Sequence, residues 1–270
     1  VMLPDRTFVD PFGGLSDLAA GVLRTPATPE QSFADDPLRM MRAARFVAQL
    51  GVRVTPEVRS AMSAMADRIS MVSAERVRDE LSKLVLADSP RAGLELMVDS
   101  GLADHVLPEL PALRLEIDEH HRHKDVYEHS LIVLEQAIDL ERTHQPAIPP
   151  DLVLRLAALL HDIGKPRTRR FEPGGRVSFH HHEVVGAKLV RRRLTALRYP
   201  RAVIDQVTAL VELHLRFHGY GGGAWTDSAV RRYVRDAGEQ VAQLHKLTRA
   251  DCTTRNPRKA AALRRTYDDL

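Results

Sequence analysis

The sequence predicts a mostly α-helical protein with a short β remnant at its N-terminus. Three observations carry that expectation. Apolar residues recur at helical spacing along most of the chain, as at Val77, Leu81, Leu84 and Val85. Helix-starting and helix-stopping residues bracket these stretches, as Asp36-Pro37 and Gly51 do. Strand-like sequence is confined to one early run, Arg6-Thr7-Phe8-Val9-Asp10, followed by a Pro11-Phe12-Gly13-Gly14 turn. The 270 residues are 44% hydrophobic and 28% charged, which supports a buried core and excludes global disorder. No apolar run approaches about eighteen residues, so no membrane-spanning helix is expected. The single cysteine, Cys252, excludes a disulfide framework and a multi-cysteine zinc site. Without a targeting signal, the expected location is the cytoplasm.

In chain order, helices are expected over residues 37–50, 56–68, 74–87 and 90–100, where Gly101 and the prolines Pro108 and Pro111 interrupt the pattern. Residues 120–125 are polar and read as loop, and 126–142 as a long helix. After Pro146, Pro149 and Pro150, residues 152–162 are almost wholly apolar, the pattern of a helix buried on every side. A small hairpin is expected around Gly174-Gly175. Helices then follow over 182–197, 200–217, 227–236 and 239–254, with a flexible loop at 219–223. The chain starts at Val1 in strand-like sequence with no partner strands, and residues 258–270 read as helix without a stop signal. Both ends read as cut, and the expectation is a fragment of a longer protein.

The net charge of +3 conceals an asymmetry. Residues 1–150 carry 16 basic and 24 acidic side chains, whereas residues 151–270 carry 23 and 12. The second half is therefore expected to meet an anionic partner.

Histidine marks where chemistry gathers. His129 lies on the helix before the proline-rich loop, and His161-Asp162 closes the apolar helix ahead of Ile163-Gly164-Lys165-Pro166. His180, His181 and His182 precede Glu183, His214 and His218 are spaced to share one helical face, and Asp251 lies on the last clear helix. Adjacent residues on a regular helix diverge by about 100°, so His161 and Asp162 can share a metal only near a helix end, where Gly164 and Pro166 put them. Imidazoles mixed with carboxylates suit Mn²⁺, Fe²⁺, Co²⁺ or Ni²⁺, and the set also admits Zn²⁺ or Mg²⁺. One histidine alone reads as surface or satisfied core; the set together does not.

The spacing of His129, His161-Asp162 and Asp251 resembles the HD superfamily of metal-dependent phosphohydrolases over about residues 120–255. The resemblance implies an all-α domain acting on phosphate esters, with His129, His161, Asp162 and Asp251 as metal ligands. His182, His214 and His218 are similar to the extra histidines of dinuclear members. Asp162 and Lys165 are then the expected catalytic residues, with Lys165 and Arg169 placed to hold substrate phosphate.

A second feature is Asp35-Asp36-Pro37-Leu38-Arg39-Met40-Met41-Arg42-Ala43-Ala44-Arg45. Arg39, Arg42 and Arg45 run between two apolar sides of one helix. A carboxylate only accepts hydrogen bonds and a guanidinium only donates them. Asp36 and Arg39, one turn apart, would therefore offer an acceptor beside a donor. Cytosine and adenine present an amino donor next to a ring-nitrogen acceptor, and uracil and guanine the reverse. Such a pair would select C and A without a template and leave Arg42 and Arg45 for phosphates. This stretch, with Asp10-Pro11-Phe12-Gly13-Gly14-Leu15-Ser16-Asp17-Leu18 before it, resembles the class II tRNA nucleotidyltransferase (CCA-adding) and bacterial poly(A) polymerase family over about residues 5–110. The family's Glu-Asp-x-x-Arg motif stands here as Asp35-Asp36-Pro37-Leu38-Arg39. Some members are similar in carrying a C-terminal HD domain.

The family's catalytic head, with its glycine-rich motif and paired aspartates, is not matched here. The expectation is a remnant of that head at 1–25, a helical neck and body at 26–115 that bind RNA and nucleotide, and an HD domain at 116–270. The resemblance implies tRNA, CTP and ATP as partners and Mg²⁺ in the head for nucleotidyl transfer, which this chain alone should not catalyse. The alternatives are a freestanding HD phosphatase or cyclic phosphodiesterase and a non-catalytic RNA-binding scaffold.

Overall fold

A computed structural model describes residues 9–114, 125–143, 149–174, 177–216 and 226–252. The fold is mostly α with very short strands, as the sequence predicts. Among the described residues, no helix is long and apolar enough to cross a membrane. The chain divides into two compact units, Val1–Val106 and Leu107–Leu270.

The first unit contains α1 (Gly14–Ala19), β1 (Val22–Leu23), α2 (Pro29–Asp35), α3 (Leu38–Leu50), β2 (Arg53–Val54), α4 (Pro56–Met65), α5 (Ala74–Val85), α6 (Arg91–Asp99) and α7 (Leu102–Val106). Thr28 and Thr55 start α2 and α4 by accepting from Gln31 N and Val58 N, and a proline follows each at the first helical position. Helix α3 packs against α5 and α6, and Met40, Met41 and Ala44 on it are fully buried. Gly93 permits the α3–α6 crossing, because a β-carbon there would lie 2.4 Å from the Ala44 carbonyl oxygen.

The early strand is not found where its residues are described. Val9 and Asp10 are not in a strand, and residues 6–8 lie outside the described residues. Asp10 instead accepts from Gly14 N and Leu15 N, both at 2.8 Å, and so caps α1. The β structure of this unit is a parallel pair, Val22 opposite Arg53 and Leu23 opposite Val54, which the sequence reading did not anticipate. Two-residue strands are too short to show alternation.

In the second unit, α8 (Val126–Arg142), α9 (Leu152–Leu160), α11 (His182–Ala196), α12 (Arg201–Leu213), α13 (Asp227–Ala237) and α14 (Val241–Asp251) form the core. A four-residue helix, α10 (Lys165–Thr168), and an antiparallel pair, β3 (Arg170–Phe171) and β4 (Val177–Ser178), lie between α9 and α11. Helix α9 packs against α8, α12 and α14, and Val153 through Leu160 are all buried. Its one charged member, Arg155, is 2% exposed and pairs with Glu141 of α8 at 2.8 Å. Several helices end earlier than expected, α4 at Met65, α5 at Val85 and α9 at Leu160 among them. Helix α12 stops at Leu213 and tightens to a 3₁₀ turn over His214–Arg216, and α14 spans Val241–Asp251. The loops at 120–124 and 219–223, Gly175 and the run 258–270 lie outside the described residues.

Candidate functional site

Five elements of the second unit deliver the histidine and aspartate cluster. His129 comes from α8, His161 and Asp162 from the turn that ends α9, His182 from the first residue of α11, His214 from the residue after α12, and Asp251 from the last residue of α14. Helix α9 stops at Leu160, so His161 and Asp162 sit in a turn closed by Lys165 N donating to Asp162 O at 2.9 Å. Leaving the helix frees the two side chains from their ~100° divergence. Gly164 lets this turn reach α11, since a β-carbon there would lie 2.0 Å from the His182 carbonyl oxygen.

Asp162 lies between two sets of imidazoles. Its Oδ2 is 3.2 Å from His161 Nε2 and 3.7 Å from His129 Nε2, while its Oδ1 is 3.2 Å from His182 Nε2. Asp251 Oδ1 lies 2.9 Å from His129 Nε2 and 3.5 Å from His161 Nε2. Two groups with metal-ligand spacing result, His129–His161–Asp251 and Asp162–His182–His214. The ring of His214 is 5.3 Å from those of His161 and His182. His218 lies outside the described residues.

The imidazoles are oriented by the main chain. His161, His182 and His214 each donate Nδ1–H to a carbonyl three residues earlier, on Ala158, Phe179 and Val211, at 2.9, 2.8 and 2.6 Å. That directs each Nε2 toward the cluster, where it takes up either a proton or a metal ion. All three Nε2 atoms are buried and make no hydrogen bond among the described residues, while Asp162 Oδ2 has the Lys165 ammonium beside it. Lone pairs facing carboxylate oxygens repel one another unless a proton or metal cation lies among them, so the donor set fits a divalent cation.

The charge balance agrees. Burial opposes protonation of His161, but the carboxylates of Asp162 and Asp251 outweigh it and raise its pKa from 6.5 to about 10. At His214, burial and then the charge on His161 lower the pKa to about 3. Burial opposes ionisation of Asp162 and Asp251, yet His161 foremost, with Lys165 beside Asp162 and His129 beside Asp251, holds both well below the ordinary carboxylate range. Two buried carboxylates and adjacent imidazoles driven to opposite states make a site that attracts positive charge. Lys165 Nζ stands 3.0 Å from Asp162 Oδ2 and 5.5 Å from the centre of the Phe179 ring.

In the first unit, Asp36 lies at the junction of α2 and α3 and accepts from Leu38 N at 3.2 Å. Arg76 of α5 donates to both its carboxylate oxygens, at 3.2 and 3.4 Å. Arg39 donates to Ser32 Oγ at 2.9 Å and to Ser32 O at 3.2 Å. Asp36 and Arg39 are thus each braced by a separate partner. Arg42 is exposed near the Phe46 ring. Arg45 lies 4.3 Å from that ring and forms a mostly buried ion pair with Glu80 at 2.6 Å. Sequence reasoning missed Ser32, Arg76 and Glu80. The 40 residues between Asp36 and Arg76 leave no local pattern that would pair them.

Comparison with known proteins follows the same division. Residues 51–113 match a family described as the probable RNA and SrmB-binding site of polymerase A, and residues 126–256 match the HD domain. The chain is 38% identical over 252 residues to an A-adding tRNA nucleotidyltransferase of Deinococcus radiodurans, an alignment covering 91% of this chain and 55% of the relative. It is 35% identical over 224 residues to a multifunctional CCA protein of Neisseria gonorrhoeae, covering 80% and 50%. A CC-adding tRNA nucleotidyltransferase of Thermus thermophilus is 36% identical over 192 residues, covering 69% and 43%. The chain spans about half the length of the curated relatives it matches. The crystal structure of the Bacillus stearothermophilus CCA-adding enzyme in complex with CTP shares the fold, with a TM-score of 0.58 at 24% identity over 100% of this chain and 56% of that one.

Proposed function

Because this chain belongs to the tRNA nucleotidyltransferase family with an HD domain, we propose that it serves the template-independent addition of nucleotides to tRNA 3′ ends and carries a metal-dependent phosphohydrolase centre. Domain limits of 26–115 for the nucleotide- and RNA-binding body and 116–270 for the HD domain are part of this reading, with residues 1–25 continuing the catalytic head. The transfer step, with its Mg²⁺, belongs to that head. The motifs of these 270 residues do not supply it.

In the body, Asp36 would accept from the exocyclic amine of cytosine or adenine while Arg39 donates to the adjacent ring nitrogen. Arg76 and Ser32 hold these two side chains in place, so the pattern of acceptor beside donor is fixed before a nucleotide arrives. Uracil and guanine would set donor against donor and acceptor against acceptor, which costs unmade hydrogen bonds. CTP and ATP are thus the proposed nucleotides and tRNA the acceptor. Arg42 stays open toward phosphate, and Arg45, committed to Glu80, supports the helix from behind.

The observation that carries the hydrolase reading is the convergence of three carbonyl-oriented Nε2 atoms on the carboxylates of Asp162 and Asp251. His129, His161, Asp162 and Asp251 would hold one divalent ion, and His182, His214 and Asp162 a second, with His218 near enough in sequence to join them. When bound, such ions lower the pKa of a coordinated water and polarise phosphoryl oxygens. The mixed imidazole and carboxylate donors suit Mn²⁺, Ni²⁺, Fe²⁺ and Co²⁺ better than Mg²⁺, which prefers oxygen. Lys165 neutralises charge on Asp162 in the resting site and is placed to meet a phosphate oxygen at its rim.

The test is divalent-ion content of the purified chain together with phosphomonoesterase and 2′,3′-cyclic phosphodiesterase assays. Bound metal and a metal-dependent activity that Asp162→Ala abolishes are expected. Inactivity with every divalent ion tried would defeat the hydrolase reading.

A further inference from the structure

The small hairpin between α10 and α11 holds a side chain that packing does not explain. Phe171 on β3 is 68% exposed, while its cross-strand partner Val177 is 3% exposed. Residues directly opposite in an antiparallel pair project to the same face. Phe171 therefore shares the face of Val177 but extends beyond the core that covers it.

The hairpin is tied to the metal cluster at Phe179, next to β4. The Phe179 carbonyl accepts from His182 Nδ1 at 2.8 Å, and its ring lies 5.5 Å from Lys165 Nζ. Lys165 in turn stands 3.0 Å from Asp162. Around Phe171 the chain is cationic, reading Lys165-Pro166-Arg167-Thr168-Arg169-Arg170-Phe171, and Arg167 and Arg170 are exposed. The Arg169 guanidinium lies 4.7 Å from the Phe171 ring centre, and its buried Nε has no hydrogen-bond partner among the described residues. The ring is thus backed by Arg169 and is largely exposed.

We infer that Phe171, backed by Arg169, is a stacking platform for the base of a nucleotide whose phosphate enters the metal cluster. The inference rests on the phosphohydrolase reading and adds to that site a residue that contacts the substrate's base. An apolar partner would not favour a single aromatic ring ringed by arginines. A flat base linked to phosphate satisfies both features at once, because any base has a π face and the phosphate meets the cations. Stacking is indifferent to base identity, so the platform selects for a base and not for one particular base.

The test compares three cyclic phosphodiesters with the full chain and Mn²⁺: a nucleoside 2′,3′-cyclic phosphate, a short RNA ending in the same group, and glycerol 1,2-cyclic phosphate, which has no base. Phe171→Ala is expected to lower kcat/KM for the nucleoside substrate relative to the glycerol substrate by roughly tenfold, through KM. Phe171→Trp should restore the ratio. If the RNA substrate loses as much as the nucleoside, the platform takes terminal bases; a loss confined to the mononucleotide assigns it to free nucleotides. A parallel calorimetric titration with a nucleoside 2′-monophosphate separates this inference from hydrolysis itself. Phe171-dependent binding without turnover would leave the platform standing and sink the hydrolase reading. Nucleotide binding that is absent, or that Phe171→Ala leaves unchanged, would overturn the platform. Equal loss with the base-free substrate would do the same.

Discussion

At the residue scale, the histidine and aspartate cluster is a set of side chains whose protonation is dictated by their neighbours. His161, raised to about 10 by Asp162 and Asp251 against the effect of burial, stays protonated in the metal-free site well above the ordinary imidazole range. A raised pKa stabilises the metal-free fold fully below the unfolded value and loses that contribution as pH rises through about 10. A metal must displace this proton. Affinity for Mn²⁺ should therefore climb by about tenfold per pH unit between about pH 7 and 9. Calorimetry in buffers of different ionisation enthalpy should find about one proton released per ion bound at this group. His214, lowered to about 3, has no proton to release in that window.

The braces on Asp36 and Arg39, the proposed base-reading side chains, make a second prediction. Arg76→Ala should leave Asp36 and Arg39 present but mispositioned. In the protein extended to the length of its relatives, discrimination of CTP and ATP against UTP should fall by roughly 10- to 150-fold, from a lost charge-assisted bond of about 1.5–3 kcal/mol. Melting that shifts by several degrees with unchanged discrimination would make Arg76 a structural residue only. Asp36 and Arg39 were legible in the sequence because their complementary chemistry is one turn apart. Arg76 was not, since nothing local links it to Asp36.

At the element scale, the turn after α9 decides whether the site exists. Gly164→Ala would put a β-carbon 2.0 Å from the His182 carbonyl oxygen, a backbone atom that no rotamer change moves. The turn must withdraw from α11, and the Asp162–His182 approach of 3.2 Å is lost with it. The expected result is destabilisation of about 1–3 kcal/mol in denaturant unfolding together with reduced metal stoichiometry. The Gly164 position was read as a helix stop, which α9 bears out within a few residues. Its closeness to α11 was not readable, because it depends on a helix that begins eighteen residues later.

Helix α9 also carries the buried pair of Arg155 and Glu141. Glu141 Oε1 accepts from Asp151 N at 3.1 Å as well, and Asp151 caps α9 through Val153 N and Leu154 N. Glu141→Gln alone should cost about 3–5 kcal/mol by leaving a buried guanidinium without its counter-charge. Arg155→Leu with Glu141→Leu should recover much of that loss, and thermal unfolding of the single and double variants would measure the recovery. The sequence shows Arg155 as an interruption in an apolar run; only packing against α8 shows what it pairs with.

At the scale of the whole molecule, each unit carries its own chemistry. Every residue of the metal cluster belongs to Leu107–Leu270, and Asp36, Arg39 and Arg76 all belong to Val1–Val106. Mn²⁺ at about 100 times its Kd should stabilise the metal-holding unit by about 2.7 kcal/mol. Hydrogen exchange would read this as added protection in α8, α9, α11 and α14 and little change in α3, α5 and α6. Equal protection in both sets would contradict the assignment of the ion to the cluster. The uneven charge of the two halves belongs to this scale too. The excess of basic residues beyond residue 150 suits phosphate, while the acidic excess before it includes Asp36, the proposed acceptor for a base.

By itself the sequence determined the helical class, most helix positions and the histidine and aspartate residues that the fold brings together. Those features are written in local periodicity, capping residues and residue chemistry, which a linear reading can count. Tertiary structure decided the rest: the bridging place of Asp162, the carbonyls that turn three Nε2 atoms inward, the braces Ser32 and Arg76, and the exposed ring of Phe171. Each depends on the approach of segments distant in the chain. Such approaches are fixed by how whole helix faces bury together, and no short stretch of sequence carries that information.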